Sequence, residues 1–231
     1  MDRDDVWRTV DDERSSLADL LDDLSPEEWE TPSLCAGWRV REVAAHLTLA
    51  HMGALPATLA MLRARGSFHR MVHDTAVRQA RLPVEQYAVQ LRGMVGSRRK
   101  APGVTHLEPL LDILVHGQDI AVPLHRSRPL PLAAAATAAT RAWTMGWPFH
   151  ARRRLGGFEL AAVDHAWSIG RGPRVQGPIA ALLLLLTGRH GALAGLSGPG
   201  LAELEARLSR QPASGGRRPS APGGCRAAPP D

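Results

Sequence analysis

Cysteine is scarce in this chain, which holds two in 231 residues, Cys35 and Cys225. Two thiols build neither a disulfide scaffold nor a four-cysteine zinc site, so the fold has to rest on an apolar core. The length allows that, as one large domain or two small ones. Long apolar runs are missing as well. The longest, "IAALLLLL" at 179–186, is far short of the roughly 20 residues of a membrane-spanning helix and reads as a core helix. An apolar leader is also absent: the start "MDRDDVWRTVDDERSS" is acidic, matches neither a secretory signal nor a transit peptide, and predicts a cytoplasmic protein. Aromatic side chains for stacking on bases are few, with one tyrosine and three phenylalanines. Nucleic acid and membrane are therefore not expected partners.

Charge is plentiful but unevenly placed. Residues 1–30 hold twelve Asp/Glu and three Arg, which leaves 25 basic against 11 acidic residues in the remainder. The arginines are scattered, with runs of three only in "SRRK" and "ARRR", so the excess suits anionic small molecules better than a nucleic-acid surface. Val6, Val10, Leu17, Leu20, Leu21 and Leu24 recur at helical spacing through 2–24. They predict an amphipathic helix whose acids are mainly solvated. In "SPEEW", Ser25, Pro26 and Glu28 have the order of a capping box and open a second, short helix. "TPSLCAG" at 31–37 is a loop. Val40, Val43, Ala44 and Leu47 mark one face of a helix expected to run from Trp38 to about residue 63. Further helices are expected at 68–80, 84–99, 105–124, with Thr105 as cap, and 130–147.

After about residue 150 the periodicity changes. "GFELAAVD" and "HAWSIG" read as strands, Arg174 to Gln176 as a third, and Pro178 opens the leucine-rich helix that closes near Gly188. The expected organisation is a helical bundle at 1–150, a small α+β domain at 151–209 and a disordered tail at 210–231, made of Pro, Gly, Ala, Ser and Arg.

The stretch that carries chemistry is "LLDILVHGQD" at 110–119. Asp112 and His116 interrupt an apolar series four residues apart, so they share a helix face. A buried carboxylate is costly unless paired or bound to a cation. If the helix holding His46 faces this one, His46, Asp112 and His116 make a two-histidine, one-carboxylate metal site with open positions, the pattern of a catalytic site. The same residues are also compatible with an intrahelical Asp–His pair and a hydrogen-bonded core histidine. Glu108 and Asp119 can orient a ligand or lie in solvent. His51 turns away from His46, and His69 with His73 form a rival pair, expected at a surface edge. Cys35 is either a reactive thiol or a small core residue. Phosphate loops and nucleophile elbows are missing.

Three stretches, "PSLCAGWRVREVAAHL" at 32–47, "LLDILVHGQDIAVPL" at 110–124 and "FELAAVDHAWSIGRGPRVQGPIAALLLLLTGR" at 158–189, resemble the mycothiol-dependent maleylpyruvate isomerase family. These are actinobacterial members of the wider DinB-like group of metal-binding four-helix bundles. The resemblance extends to about residue 205. It implies a mainly α fold, a DinB-like antiparallel four-helix bundle followed by a small α+β C-terminal domain. It also implies His46, Asp112 and His116 as ligands of a divalent metal, most plausibly zinc, and a mycothiol-like thiol cofactor. The activity implied is metal-dependent cis–trans isomerisation or thiol transfer on an electrophilic or carboxylate substrate, against the alternative of a noncatalytic metal-binding or sensing protein. Arg189 or Arg174 would then meet substrate carboxylates. Two positions depart from the family's pattern: Asp112 stands where Glu is usual, and Arg39 where a small capping residue is common.

Deleting residues 211–231 is expected to leave melting temperature and metal content unchanged within error, because the tail has almost nothing to bury. A fall of several degrees in a thermal melt would show instead that the tail docks.

Overall fold

A computed structural model describes residues 1–100 and 103–210; the expected disordered tail lies outside these, apart from its first residue. Helix α1 (Arg3–Asp22) starts at Asp2, whose carboxylate accepts from the Asp5 amide at 2.8 Å while Asp5 reaches back to the Asp2 amide. The short α2 (Pro26–Trp29) is closed by the capping box read from its sequence: Glu28 accepts from the Ser25 amide at 2.9 Å, and the Glu28 amide donates to the Ser25 hydroxyl.

The helix expected over 38–63 is interrupted. α3 (Val40–Thr48) passes into a 3₁₀ turn at Leu49–His51, the chain extends through Met52 and Gly53, and α4 (Ala54–Arg63) begins afresh. Pro56 explains the break. Proline lacks the amide that a continuous helix would need there, but is tolerated in the first turn of a new one. Arg39 costs α3 little, since Glu42 accepts from its backbone amide at 2.8 Å.

α5 (Phe68–Gln79) matches its expected span, whereas α6 (Glu85–Arg92) ends well before 99, at Gly93 and Gly96. α7 (Leu107–Ala121) and α8 (Leu132–Thr144) follow. Thr105 helps to start α7, accepting from the Leu107 amide at 3.1 Å.

Helices α1, α3, α6 and α7 form the four-helix bundle: α1 packs on α6 and α7, and α3 on the same two. Helix α5 lies against α3, and α4 against α5. Their apolar faces fuse into one core that includes Trp7, Leu17, Val43, Tyr87 and Leu114.

Helix α8 then joins this bundle to the C-terminal segment, touching α7 on one side and α10 on the other. That segment comprises α9 (Ala151–Leu155), β1 (Glu159–Ala162), β2 (Ser168–Gly170), β3 (Arg174–Gly177), α10 (Ile179–Leu186) and α11 (Leu201–Arg210). The sheet has the order β2-β1-β3, antiparallel between β1 and β2 and parallel between β1 and β3. Leu160 sits opposite both Ile169 and Val175. Bringing β3 parallel to β1 so soon after β2 forces the chain close past Gly157 and Phe158. Gly170 and Gly172 allow it: both have positive φ, and a Cβ on either would meet a carbonyl oxygen at 2.2 or 2.0 Å. No helix among the described residues is long and apolar enough to cross a membrane.

Most acids of the N-terminal segment are exposed, as the sequence predicts, and several of them pair with arginines from later in the chain. Asp11 pairs with Arg98, Asp19 and Asp22 with Arg92, Asp23 and Glu28 with Arg126, and Glu13 with Arg128, at 2.6 to 3.0 Å. Arg92, Arg98, Arg126 and Arg128, part of the basic excess of the remainder, thus stand where α1 and α2 dock. Exposed pairs of this kind contribute little each. The Glu13–Arg128 pair is buried, and burial outweighs Arg128 to push the Glu13 carboxyl up.

Leu21 is 3% exposed in the bundle core. Replacing it by Ala is expected to cost about 2 to 5 kcal/mol in urea denaturation. A loss below about 0.5 kcal/mol, the range of ordinary surface changes, would make α1 a detachable arm.

Candidate metal centre

On α3 the stripe Val40, Val43, Ala44 and Leu47 is buried, which rotates His46 to the rim of the packed face. On α7 the neighbours Leu111, Ile113, Leu114 and Val115 are buried, while Asp112 and His116 stack one turn apart toward α3. The packing of α3 on α7 brings the three together. His46 Nε2 lies 3.6 Å and His116 Nε2 3.4 Å from Asp112 Oδ1, and the two imidazoles meet edge-on with ring centres 4.9 Å apart. One ligand atom from each residue lies within 4.8 Å of the other two.

These separations are informative. They are long for N–H···O hydrogen bonds, whose usual range ends near ~3.2 Å. They match ligand atoms sharing one tetrahedral ion: with bonds of about 2.0 to 2.1 Å, neighbouring ligands stand about 3.3 Å apart. The shorter carboxylate of Asp112, a departure in the sequence, still lies close to both histidines. Its side chain is 34% exposed, so solvent reaches the cluster. Burial alone would push the Asp112 carboxyl up, but His116 and His46 outweigh it and hold it far below the usual carboxylate range.

Behind His116 lies a second, drier network. Asp119 is fully buried, and its Oδ2 stands 2.8 Å from His116 Nδ1. Arg189, reaching across from the C-terminal segment, forks onto the same carboxylate at 2.9 and 2.6 Å. The Cys35 thiol donates to Asp119 Oδ2 at 3.0 Å and accepts from Arg189 at 3.3 Å. Burial penalises the Asp119 anion, yet His116 and Arg189 hold its pKa well down. An ionised carboxylate only accepts, so Nδ1 of His116 carries the proton and Nε2 is left to face Asp112 and His46. In that environment burial disfavours a charged His116, but Cys35, Asp112 and Asp119 overcome it and raise its pKa well above the ordinary value. Cys35, His116 and Asp119 also have metal-ligand spacing. Arg189 is the cation that stands there.

The remaining sequence candidates fall elsewhere. Glu108 is tied to Arg141 and the Thr105 amide, away from the three residues. Arg174 pairs with Glu159 at 3.0 Å, and Arg189 is committed to Asp119, so neither waits for a substrate carboxylate. His69 and His73 gather no acidic partner into a ligand cluster among the described residues. His73 accepts instead from Trp38 Nε1 at 2.9 Å, and the Trp38 ring centre lies 5.4 Å from that of His46. Trp38 and the Cys35–Asp119–Arg189 link were missed from sequence. A buried acid seven residues after Asp112 was the available signal for the link, but its arginine lies seventy residues further on.

Fold and cluster together define a helical-bundle protein with a candidate two-histidine, one-carboxylate metal centre and an appended α+β segment. Residues 10–102 match the family model for the mycothiol maleylpyruvate isomerase N-terminal domain. The match includes His46 and stops short of Asp112 and His116. Two solved structures share the fold: the mycothiol-dependent maleylpyruvate isomerase, at 15% identity, and a histidine-to-alanine mutant of it, at 13%. Each superposes with a TM-score of 0.57, covering 86% of this chain and 93% of the other. At such identities the likeness establishes the fold. No curated protein sequence matches.

Asp119→Asn would leave the Arg189 guanidinium buried without its counter-charge. Breaking a buried pair in this way is expected to cost about 3 to 5 kcal/mol, measured by urea denaturation of the full chain. A change within ordinary surface values would show that Arg189 finds solvent when released.

Proposed function

We propose that the chain is a metal-dependent enzyme that uses a low-molecular-weight, mycothiol-like thiol as cofactor, acting as a cis–trans isomerase of the maleylpyruvate isomerase type or as a thiol transferase. The observation that carries this reading is the convergence of His46, Asp112 and His116: Asp112 Oδ1 stands 3.6 and 3.4 Å from the two Nε2 atoms, and one ligand atom of each residue lies within 4.8 Å of the others, a spacing suited to three ligands of one ion. The match of residues 10–102 to the isomerase domain supports the thiol.

His46 and His116 would present Nε2 to a divalent cation, most plausibly zinc, and Asp112 one carboxylate oxygen. Such an ion lowers the pKa of a coordinated thiol, so that a thiolate is available near neutral pH. Asp119 holds the His116 ring and its tautomer, the service a carboxylate renders to a metal-bound imidazole elsewhere. Arg189 keeps Asp119 ionised. Three ligands from two helices leave at least one position for thiol or substrate, and Trp38 closes the side of the centre next to His46.

Elemental analysis of the purified chain and its variants tests the reading. His46→Ala and His116→Ala are each expected to remove most of the metal, and Asp112→Asn to weaken binding while nearly keeping shape. Asp112→Glu is expected to retain or strengthen it. Turnover of an electrophile with added thiol should follow metal content through the series. A full equivalent of metal in His46→Ala would overturn the three-residue site. Metal binding without any thiol-dependent turnover would favour a sensing role.

A further inference from the structure

Helices α4 and α5 pack together as a hairpin, and its outer surface serves no contact within the bundle. On α4, Leu55, Leu59 and Leu62 recur at i, i+4 and i+7, which sets them on one face, and they are 72, 43 and 69% exposed. Ala60 is the buried residue of that helix. Phe68 opens α5 just past the turn and is exposed as well. The Trp147 ring, itself 50% exposed, meets it edge-on with ring centres 4.7 Å apart. Single exposed leucines are ordinary, but three in a row on one short helix, followed by an exposed aromatic pair at the next turn, are not.

Charge in this region is nearly all of one sign. Between Glu42 and Glu85 the chain holds five arginines, Arg63, Arg65, Arg70, Arg78 and Arg81, against a single acid, Asp74. All five are exposed. Arginine ion pairs stop at Arg41 and resume at Arg92, so among the described residues none of the five is matched. The segment that carries Trp147 brings no acid either, since none occurs between Asp119 and Glu159.

We propose that this hairpin docks on the surface of an anionic lipid bilayer. Leu55, Leu59, Leu62, Phe68 and Trp147 would enter the boundary between headgroups and acyl chains, while Arg63, Arg65 and Arg70 meet lipid phosphates. Charge argues against a second copy of the chain, because an isologous pair would set these arginines against their own counterparts. Size argues against a stable protein partner. Five apolar side chains and five arginines fall short of the roughly 20 to 30 residues a side of such an interface. A bilayer requires no complementary groove, since each apolar side chain gains by entering it separately. The sequence reading set membranes aside for want of a spanning run, and surface docking needs none. It requires neither the metal nor the thiol.

Flotation of the full chain with vesicles tests the docking, with phosphatidylcholine alone and phosphatidylcholine mixed with phosphatidylglycerol as the two surfaces. Wild type should float with the mixed vesicles and much less with the neutral ones, and added salt should weaken the binding. Each cation near an anionic surface contributes about fivefold, so Arg63→Gln, Arg65→Gln and Arg70→Gln combined should weaken binding by on the order of a hundredfold. Leu55→Ser with Leu62→Ser should weaken it by about tenfold or more. Both sets of positions are exposed, so the variants should keep the wild-type melting temperature. Equal binding to neutral and mixed vesicles, no binding to either, or wild-type binding by the leucine or arginine variant would each overturn the proposal. A chain that does not float but is dimeric in sedimentation velocity, and monomeric with Leu55→Ser and Leu62→Ser, would replace the bilayer by a second copy.

Discussion

The buried carboxylate of Asp119 is the constraint on which the site depends. At zero exposure it is tolerated only because Arg189, Cys35 and His116 all donate to it. Arg189 comes from the turn after α10, so the pair is at once the compensation for a buried charge and a tie between the bundle and the C-terminal segment. The same oxygen that receives Arg189 fixes the tautomer of His116. Docking of the C-terminal segment and orientation of a candidate metal ligand are therefore one interaction, and a chain truncated before α10 would lose both.

The other face of His116 shows the opposite regime. There Asp112 Oδ1 stands 3.6 and 3.4 Å from the Nε2 atoms of His46 and His116, and solvent reaches Asp112. A compensated, dry network next to a wetter cluster of ligand-type atoms separates the group that holds from the group that is held. Well-supported metal ligands have this arrangement, because a ring fixed from behind gives up little freedom on binding.

Much of this was legible in sequence because it is local. The spacing of Asp112 and His116 on one helix face, the Ser25 capping box and the change of periodicity after residue 150 are all decided within a few residues. The three strands followed from short apolar runs between turn residues. What was not legible depended on contacts distant in the chain. The break after Thr48 was signalled by Gly53 and Pro56, but an unbroken apolar pattern outweighed them. Glu108 and Asp119 looked alike from spacing, since both extend the Asp112–His116 face by a turn. Only the position of Arg141 against one and Arg189 against the other gives them different roles. The pairing of the α1 acids was not legible because their arginines lie between residues 92 and 128.

That last difference gives the uneven charge of the chain a physical reason. Twelve acids gathered in the first thirty residues would repel one another on a free helix. Six of them, Asp11, Glu13, Asp19, Asp22, Asp23 and Glu28, are set against Arg92, Arg98, Arg126 and Arg128 and form a clasp between α1, α2 and the rest of the bundle. Each exposed pair adds little stability, but together they favour one rotation of α1 over others, because a turned helix would face acids to apolar neighbours and leave the arginines unmatched. Rotation decides what each side chain of α1 meets. Glu13 and Arg14 are adjacent, and with Glu13 paired to Arg128 on one side of α1, Arg14 is carried to the side that faces His51. The clasp thus sets how α1 meets the bundle, and the charge pattern of the first thirty residues is tied to the orientation of a single helix.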